Sequence, residues 1–492
     1  MLVADFSQLA PGTGIDGFTL LQRLHEGRMA SVWRVSHPDH PQPLVMKIPA
    51  FARGDPVSSL VGFELEQMIL PLLGGPHVPG FVANGALDVL PYLVMEQIEG
   101  RDLRDWLDRT PIALEPLAAL GAAIATALHD LHRQHVVHLD LKPSNLLLRP
   151  DGRVVVIDFG LACHEEVPDL LSDHFRQPLG SAPYLAPEQV LGVRGDPRSD
   201  LFALGVLLYT LATGERPFGY PHSLAGLRRR LWRPPLPPRR LNPSLPSWFQ
   251  EIVLRLLEVE PAARYQSGSQ LAFDLRHPEA VPLTARAELR DRPGLVVQAR
   301  RWWQSLSWRP QAPAHGTSAP GAAPVILVAV SLTPVPAGNP ERWFERTVRR
   351  IVSAHQELRV VCLNVITAQV HQHDQSAYYA RFVELSAWSH ALGLGPGRVT
   401  CLVLTADDPA QAIVDYCAAH PIDHLVIGDA ARGRGGLGPV ALRVLQAADC
   451  TVTVVRRRHP GRPGDVPGEG LIGAGSGPPP AAVRPAPDRR RC

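Results

Sequence analysis

The feature that most constrains the fold is a stretch of small residues and prolines that separates two regularly patterned parts of the chain. Residues 311–323 are mostly Ala, Pro, Gly and Ser, with almost no large apolar side chain, so they behave as a linker and not as part of a core. On both sides of this stretch, apolar segments alternate as expected for strands and helices. The sequence therefore predicts at least two packed domains joined by a flexible linker.

The prolines indicate where the domains end. The 50 prolines cluster between residues 234 and 246, between 310 and 340, and after 460, where loops and linkers are expected. Beyond residue 458 the chain is too poor in large apolar residues to build a core. We predict a first domain at 14–276, a basic, Trp- and Pro-rich linker at 277–323, a second domain at 324–458 and a disordered tail at 459–492.

Composition excludes several classes of protein. Hydrophobic residues make up 45% and charged residues 20% of the 492 residues, which is typical of globular proteins. The formal net charge of +2 provides no large field to attract nucleic acid. The six cysteines lack the spacing of a disulfide framework or a zinc site, and no apolar run reaches the ~20 residues of a membrane span. We expect a cytoplasmic protein with no signal peptide, no membrane span and no nucleic-acid partner.

A glycine-containing turn beside a strand lysine is the first sign of phosphate chemistry. The segment HEGRMASVWRV, with Gly27 and Val32, precedes VMKI, with Lys47. Backbone N–H groups approach a phosphate closely only where side chains are small. In the pattern G-x-G-x-x-G-x-V only Gly27 and Val32 match, because His25 and Ala30 stand at the outer glycine positions. Taken alone, this turn is equally typical of an ordinary β-hairpin.

Three further motifs follow in order and decide the interpretation. They are HLDLKPSN at 138–145, VVVIDFG ending at Gly160, and GSAPYLAPE at 180–188. With them, residues 14–276 resemble the protein kinase family, and Lys142 together with GSAPY resembles its Ser/Thr branch. The resemblance implies an α+β bilobal protein kinase fold, binding of ATP and Mg²⁺, and protein substrates with Ser or Thr acceptor hydroxyls.

The resemblance also implies catalytic roles, because phosphoryl transfer depends on positioning and on neutralising charge. Lys47 would hold the α- and β-phosphates, with Glu66 as its carboxylate partner and Glu64 as the alternative. Asp140 would accept or orient the proton of the substrate hydroxyl. Lys142 would neutralise charge on the transferred group.

Metal and nucleotide sites follow from the same resemblance. Asn145 and Asp158 would supply oxygen ligands, which suit Mg²⁺. Met95 looks like the residue that closes the back of the adenine pocket, and the backbone of Glu96 and Ile98 looks like the hinge. The remaining nucleotide contacts would come from Gly27, Val32, Val45, Lys47 and Leu147.

Supporting residues match as well, and one departs from the family pattern. Asp200 resembles the residue that anchors the catalytic loop, and Glu188 and Arg264 resemble a buried structural ion pair. Leu139 replaces the arginine that would meet a phosphorylated activation loop, the activation segment of residues 160–186, and leucine cannot pair with phosphate. We therefore predict that activity does not require phosphorylation of this loop, and that Ser172→Ala leaves turnover nearly unchanged.

Residues 286–308 form an aromatic and arginine-rich stretch that fits two interpretations. It is suited to a membrane surface or another anionic partner, and equally to packing on the first domain. Because Pro293 and Gly294 interrupt any helix there, we favour packing of Trp302 and Trp303 against the first domain.

From Pro324 onward, strand-like and helix-like segments alternate, which predicts an α/β domain with a parallel sheet. The segments DPAQAIVDYCAAHPIDHLVIG and VLQAADCTVTVVR resemble the universal stress protein family, which implies a Rossmann-like fold. Some members bind ATP through a loop G-x2-G-x9-G-[ST] and an Asp after the first strand. Here Ser331 stands at the Asp position, Gly428 and Gly438 are too close together, and Pro439 replaces the hydroxyl residue. We favour a sensing or homodimerising role for this domain over ATP binding.

Three functions fit the sequence. The first is an active Ser/Thr kinase regulated by its C-terminal domain. The second is a pseudokinase-type signalling scaffold that binds nucleotide and partners without phosphoryl transfer. The third is a stress-protein domain that is the active part, with the kinase as its regulator. The presence of Lys47, Asp140 and Asp158 together favours the first.

Overall fold

The computed structural model describes the chain in segments. They are residues 9–27, 30–49, 57–85, 90–167, 169, 171, 178–310, 325–332, 341–353, 358–366, 375–394, 398–419, 422–429 and 437–456. Ser172, the linker at 311–323 and the tail at 459–492 lie outside the described residues, so the predictions about them stay predictions.

The N-terminal lobe is an antiparallel sheet packed beside one long helix. The sheet has the order β1-β2-β3-β4-β6-β5. In β4, Leu44, Met46 and Ile48 are buried in the core of the lobe, so Val45 and Lys47 point to the opposite face, because strand side chains alternate. The bounds are β1 Gly14–Ile15, β2 Phe18–Glu26, β3 Ala30–His37, β4 His40–Pro49, β5 Phe81–Asn84, β6 Leu93–Glu96 and α1 Val57–Ile69.

The C-terminal lobe is mainly helical. Helix α5 is buried along almost its whole length, as expected for a helix that is apolar all round, and it ends at Gly214 in the left-handed conformation. The helices are α2 Arg104–Leu107, α3 Leu114–His132, α4 Pro187–Val190, α5 Arg198–Thr213, α6 Leu224–Arg228, α7 Pro238–Leu241, α8 Ser247–Leu256 and α9 Gly268–Arg276. Short strands carry the loops of the cleft: β7 Arg101–Asp102, β8 Val136–Val137, β9 Leu146–Leu148, β10 Val154–Val156 and β11 Cys163–His164. Single 3₁₀ turns lie at Leu70–Leu72, Pro143–Asn145, Arg229–Leu231, Pro261–Ala263 and Pro278–Ala280.

The first part of the predicted linker packs on the C-terminal lobe. Two helices form there, α10 (Ala285–Glu288) and α11 (Leu295–Ser307). The buried amide of Gln250 donates to the backbone carbonyls of Arg286, Ala287 and Leu289, over 2.8–3.1 Å. These bonds fix α10 to the lobe.

The expectation that Trp302 and Trp303 pack on the first domain is wrong. Their exposed fractions are 45% and 71%, because α11 turns its polar side toward the lobe. The contact is made instead by Trp308, whose indole Nε1 donates to Glu260 Oε2 over 3.0 Å.

The C-terminal domain is a five-stranded parallel sheet with helices between its strands. Its order is β14-β13-β12-β15-β16, and every neighbouring pair is parallel. The predicted fold class is confirmed for both halves of the chain. The bounds are β12 Val325–Ala329, α12 Glu341–Ser353, β13 Arg359–Ile366, α13 Gln375–His390, β14 Val399–Thr405, α14 Pro409–Ala419, β15 His424–Asp429, α15 Pro439–Ala447 and β16 Thr451–Arg456.

The C-terminal domain lies against helix α1 of the N-terminal lobe. Val61 and Leu65 of α1, together with Leu171, belong to the same buried apolar cluster as residues of the parallel sheet. Helix α13 also contacts α1. Within the described ranges, no helix combines the length and the apolar character that crossing a membrane requires.

Candidate active site

Lys47 lies at the centre of a partly buried charge cluster in the cleft between the lobes. Its Nζ is 2.6 Å from Glu66 Oε2 on α1 and 3.1 Å from Asp158 Oδ1, which follows β10. Although burial opposes the charged form, the two carboxylates raise the pKa of Lys47. The Lys47 ammonium, in turn, lowers the pKa of Asp158 to about 2. Glu66 therefore takes the position expected of the lysine's partner, and Glu64 does not.

Lysine usage singles out the same site. Among the 49 Lys and Arg residues of the chain, two are lysines, Lys47 and Lys142. Elsewhere the chain uses arginine for positive charge. Lysine supplies a compact ammonium where a planar guanidinium would not fit the same contacts. This signal is readable in the sequence and is independent of the motif spacing.

The catalytic loop gathers polar groups around Asp140. Lys142 Nζ donates to Asp140 Oδ2 over 2.6 Å, and the backbone N–H of Ser181 donates to Oδ1 over 2.7 Å. The amide of Asn145, on the 3₁₀ turn, donates to the backbone carbonyl of Asp140 over 3.0 Å. Asp140 is 8% exposed. These hydrogen bonds hold its carboxylate in one orientation, and the carboxylate still reaches the cleft.

Asp200 on α5 fixes the backbone of this loop. Its two oxygens accept hydrogen bonds from the N–H groups of His138 and Leu139, at 2.9 and 2.8 Å, and from His132 Nε2 at 2.9 Å. Burial opposes the charge of Asp200, yet these hydrogen bonds keep its pKa below the ordinary value. Leu139 has a positive φ of 63°, so the loop adopts a conformation that ordinary residues rarely take unless their surroundings hold it.

Leu139 is a buried residue of the catalytic loop. It is 3% exposed, and its backbone carbonyl accepts a hydrogen bond from Gln189 Nε2 over 2.8 Å. Gln189 Oε1 also accepts from the N–H of Ala186. Sequence reasoning missed Gln189 and the Ser181 N–H, because a bridging amide and a backbone donor carry no distinctive motif.

Glu188 and Arg264 form a bidentate ion pair below the activation segment. Arg264 donates to both Glu188 oxygens over 2.7 Å, and both side chains are almost fully buried. Ser199 Oγ donates to the same carboxylate over 2.7 Å. The pair is structural, because neither side chain reaches the cleft.

The residues around the cleft fit a divalent cation of the Mg²⁺ type. Asn145 and Asp158 offer an amide oxygen and a carboxylate, and Mg²⁺ is commonly held by one or two such ligands together with substrate phosphates. Asn145 directs its NH₂ to the carbonyl of Asp140, which leaves its Oδ1 for a ligand and for Ser144. Clusters of three or more His, Cys, Asp or Glu suited to a metal are absent from the part of the chain described above.

Most of the residues predicted to contact the nucleotide lie on strands β3, β4, β6 and β9. Val32 pairs with Lys47 in the β3–β4 register, and Val45 pairs with Met95 in the β4–β6 register. All four are partly buried, as are Glu96, Ile98 and Leu147. Gly27 closes the β2–β3 turn with an N–H bond to the Ala30 carbonyl over 3.0 Å. The tip of that turn lies outside the described residues.

The C-terminal domain fills its own candidate phosphate position with a carboxylate. Asp429 Oδ1 accepts from the N–H of Gly438, immediately before α15, over 3.0 Å, and Oδ2 pairs with Arg456 over 3.2 Å. The N-terminal end of a helix attracts anions, and here the carboxylate of Asp429 takes that place. Ser331 lies exposed after β12. This arrangement favours the prediction that the domain does not bind ATP.

Two family profiles match the chain. The protein kinase domain profile matches residues 18–273, and the universal stress protein family profile matches residues 325–456. The first covers just over half of the chain and contains the whole site described above.

Curated serine/threonine-protein kinases match just over half of the chain. Serine/threonine-protein kinase Pkn1 of Myxococcus xanthus is 32% identical over 297 residues, which are 59% of this chain and 42% of Pkn1. Serine/threonine-protein kinase PrkC of Bacillus subtilis is 29% identical over 268 residues, 54% of this chain and 41% of PrkC. Serine/threonine-protein kinase PknL of Mycobacterium tuberculosis is 31% identical over 53% of this chain and 65% of PknL. The chain thus spans about two fifths of the first two relatives.

Among solved structures, the kinase domain of Mycobacterium tuberculosis PknI aligns over 55% of this chain and 99% of that domain, with 25% identity and a TM-score of 0.43. The profile match at residues 18–273 and the names of the curated relatives agree on a protein kinase. The chain belongs to the protein kinase family, with bacterial serine/threonine kinases as relatives and a universal stress protein domain after the kinase domain.

Proposed function

We propose that this protein transfers the γ-phosphoryl group of Mg-ATP to Ser and Thr hydroxyls of protein substrates. The observation that carries the proposal is the assembled charge cluster, in which Lys47 contacts both Glu66 and Asp158 while Asp140 is held by Lys142 and Ser181. Phosphoryl transfer depends on such positioning more than on covalent participation of the protein.

Each residue of the cluster has a distinct task in this proposal. Lys47, fixed by Glu66, binds the α- and β-phosphates. Asp140 orients the substrate hydroxyl and receives its proton, and Lys142 offsets charge on the transferred group. Asn145 and Asp158 would hold Mg²⁺, which supplies charge neutralisation on the phosphates when bound.

The direct test is phosphate incorporation by the full chain, with labelled ATP, Mg²⁺ and a generic protein acceptor. Asp140→Asn removes the proton acceptor and keeps the shape of the side chain. We expect a loss of about a hundredfold or more in rate, with an unchanged melting temperature. Equal incorporation by the two proteins would refute the proposal.

A pseudokinase scaffold is the less favoured alternative. Such a scaffold would be expected to lack the strand lysine, the catalytic Asp or the metal-binding Asp, and Lys47, Asp140 and Asp158 are all present. Mg-dependent ATP binding without incorporation in the assay above would favour the scaffold.

We also propose that the activation segment works without being phosphorylated. Arg194 Nε pairs with Asp169 Oδ2 over 2.6 Å, and its NH2 group donates to the carbonyl of Leu161 over 2.8 Å. An ion pair within the protein therefore supports this segment without a phosphate, and Leu139 offers no contact for one. Ser172 lies outside the described residues, so Ser172→Ala stays a sequence-based prediction.

The C-terminal domain, in this proposal, regulates the kinase by holding α1. Glu64 is 6% exposed, and its carboxylate accepts a hydrogen bond from the backbone N–H of Cys401 on the edge strand β14. Arg359, the first residue of β13, pairs with Glu166 of the activation segment over 2.8 Å. Contacts from one domain thus reach both α1 and the activation segment. A homodimer through the C-terminal domain stays a prediction from the sequence.

A further inference from the structure

Helix α11 presents an apolar face that no described part of the chain covers. Val296, Ala299, Trp303 and Leu306 recur at intervals of three and four residues, which places them on one side of a helix. Val296, Trp303 and Leu306 are 84%, 71% and 56% exposed, and Trp302, 45% exposed, borders them. Exposed apolar faces of this kind mark interaction sites.

The opposite, polar face of α11 is the one that contacts the kinase domain. Arg301, Gln304 and Ser305 line a cavity of about 360 Å³ against the C-terminal lobe, and Trp308 anchors the end of the helix through Glu260. A helix added only to extend the core would bury its apolar side and expose its polar side. Here the anchoring keeps the apolar side outward.

Neighbouring segments of the chain are poorly suited to cover this face. Residues 311–323, which follow the helix most closely, read QAPAHGTSAPGAA and contain no Leu, Ile, Val, Met or aromatic residue. The tail beyond residue 456 is rich in Arg, Pro and Gly, so it shares the positive charge of α11 and offers few large apolar side chains.

The charge of the segment selects the class of partner. Helix α11 contains Arg300 and Arg301 and no acidic residue, and Arg290 and Arg309 flank it as further exposed cations. Tryptophans beside arginines, on a helix with an apolar stripe, are typical of segments that lie in the headgroup region of an anionic bilayer. The surface of an anionic bilayer is flat and acidic and covers an apolar interior, so it satisfies all of these features together.

We propose that α11 docks the protein on the surface of anionic phospholipid membranes, with Val296, Trp303 and Leu306 inserted and Arg300 among the headgroups. Crossing of the bilayer is not involved, and the inference does not depend on phosphoryl transfer. In this arrangement the kinase domain is held at the membrane through the polar face of α11.

The test is co-sedimentation of the full chain with vesicles of phosphatidylcholine alone and with vesicles of equal parts phosphatidylcholine and phosphatidylglycerol. We expect at least about tenfold tighter binding to the anionic vesicles. The double variant Val296→Ser/Leu306→Ser should weaken that binding by about tenfold or more, and Arg300→Gln by a few-fold.

A matched control lies on another helix. Leu442 and Leu445 of α15 are 42% and 43% exposed, so Leu442→Ser/Leu445→Ser makes a comparable change elsewhere and should leave vesicle binding unchanged. Equal effects of the two double variants, or no binding to anionic vesicles, would overturn the proposal. So would a dimer in sedimentation velocity, without vesicles, that Val296→Ser/Leu306→Ser abolishes, because a second copy would then be the partner.

Discussion

The two sides of helix α1 serve different purposes, although the acidic residues that define them are two positions apart. On the inner side, Glu66 pairs with Lys47 over 2.6 Å. On the outer side, Glu64 is buried against Cys401 of the C-terminal domain. Positions two residues apart on a helix differ in direction by about 200°. Glu64 and Glu66 therefore point to opposite sides of α1 and contact different partners. One short helix therefore joins the catalytic cleft to the domain that we propose regulates it.

The largest effect should come from the inner side, at Lys47. Lys47→Arg keeps the positive charge, but the guanidinium cannot take the place of an ammonium between Glu66 and Asp158. We expect a fall of about a hundredfold in kcat/KM, measured with labelled ATP. Arg153→Lys, at an exposed pair with Asp151, is the converse exchange and should change the rate less than twofold. Near-normal activity of Lys47→Arg would show that an ammonium between Glu66 and Asp158 is not required for catalysis.

A smaller effect is expected where α1 meets the motif that carries Asp158. A Cβ atom at Gly62 would lie 2.8 Å from the Gly160 carbonyl oxygen, closer than real contacts allow, so Gly62→Ala should push α1 outward and lengthen the Lys47–Glu66 contact. We expect about a tenfold lower rate. Gly74→Ala, where nothing lies within 4 Å of the added atom, is the control and should be silent. Equal rates for both would show that α1 tolerates displacement.

The outer side of α1, at Glu64, should affect the stability of the folded protein and not the rate of phosphoryl transfer. Burial raises the pKa of Glu64 well above its ordinary value, so the folded protein holds this proton more tightly than the unfolded chain. Stability from this group is therefore present at low pH and is lost as pH rises through the raised pKa. Glu64→Gln should remove that loss. The free energy of unfolding of the variant should exceed that of wild type by about 1 kcal/mol or more near pH 8 and differ little from it near pH 5. Urea unfolding at both pH values measures this, and a pH-independent difference would contradict it.

The residues of the cleft were predictable because each motif carries side chains with few alternative uses. Lys47, Asp140, Asn145 and Asp158 come together as the motif spacing implies, and Glu66 was ranked above Glu64 from its place on a helix. The roles of these residues stay proposals. Their positions in one cluster follow from the order of the motifs along the chain.

Other features could not be predicted, for physical reasons that differ from case to case. The apolar stripe of α11 can be read from the sequence, but the stripe alone does not say whether it faces a core or solvent, and Trp302 and Trp303 were assigned to the wrong side. Asp429 was overlooked because a carboxylate that fills a helix end looks like any loop acid. Contacts between domains, such as that of Glu64, depend on how two separately patterned units meet.

The measurement that tests the central claim most directly is the initial rate of phosphate incorporation by Glu66→Gln and Glu64→Gln, made in the same full chain and assayed side by side. Both variants replace a carboxyl group on α1 with an amide and keep the shape of the side chain. We expect a loss of about fiftyfold or more for Glu66→Gln and less than about threefold for Glu64→Gln. Equal rates for the two variants would contradict the assignment of the inner side of α1 to catalysis.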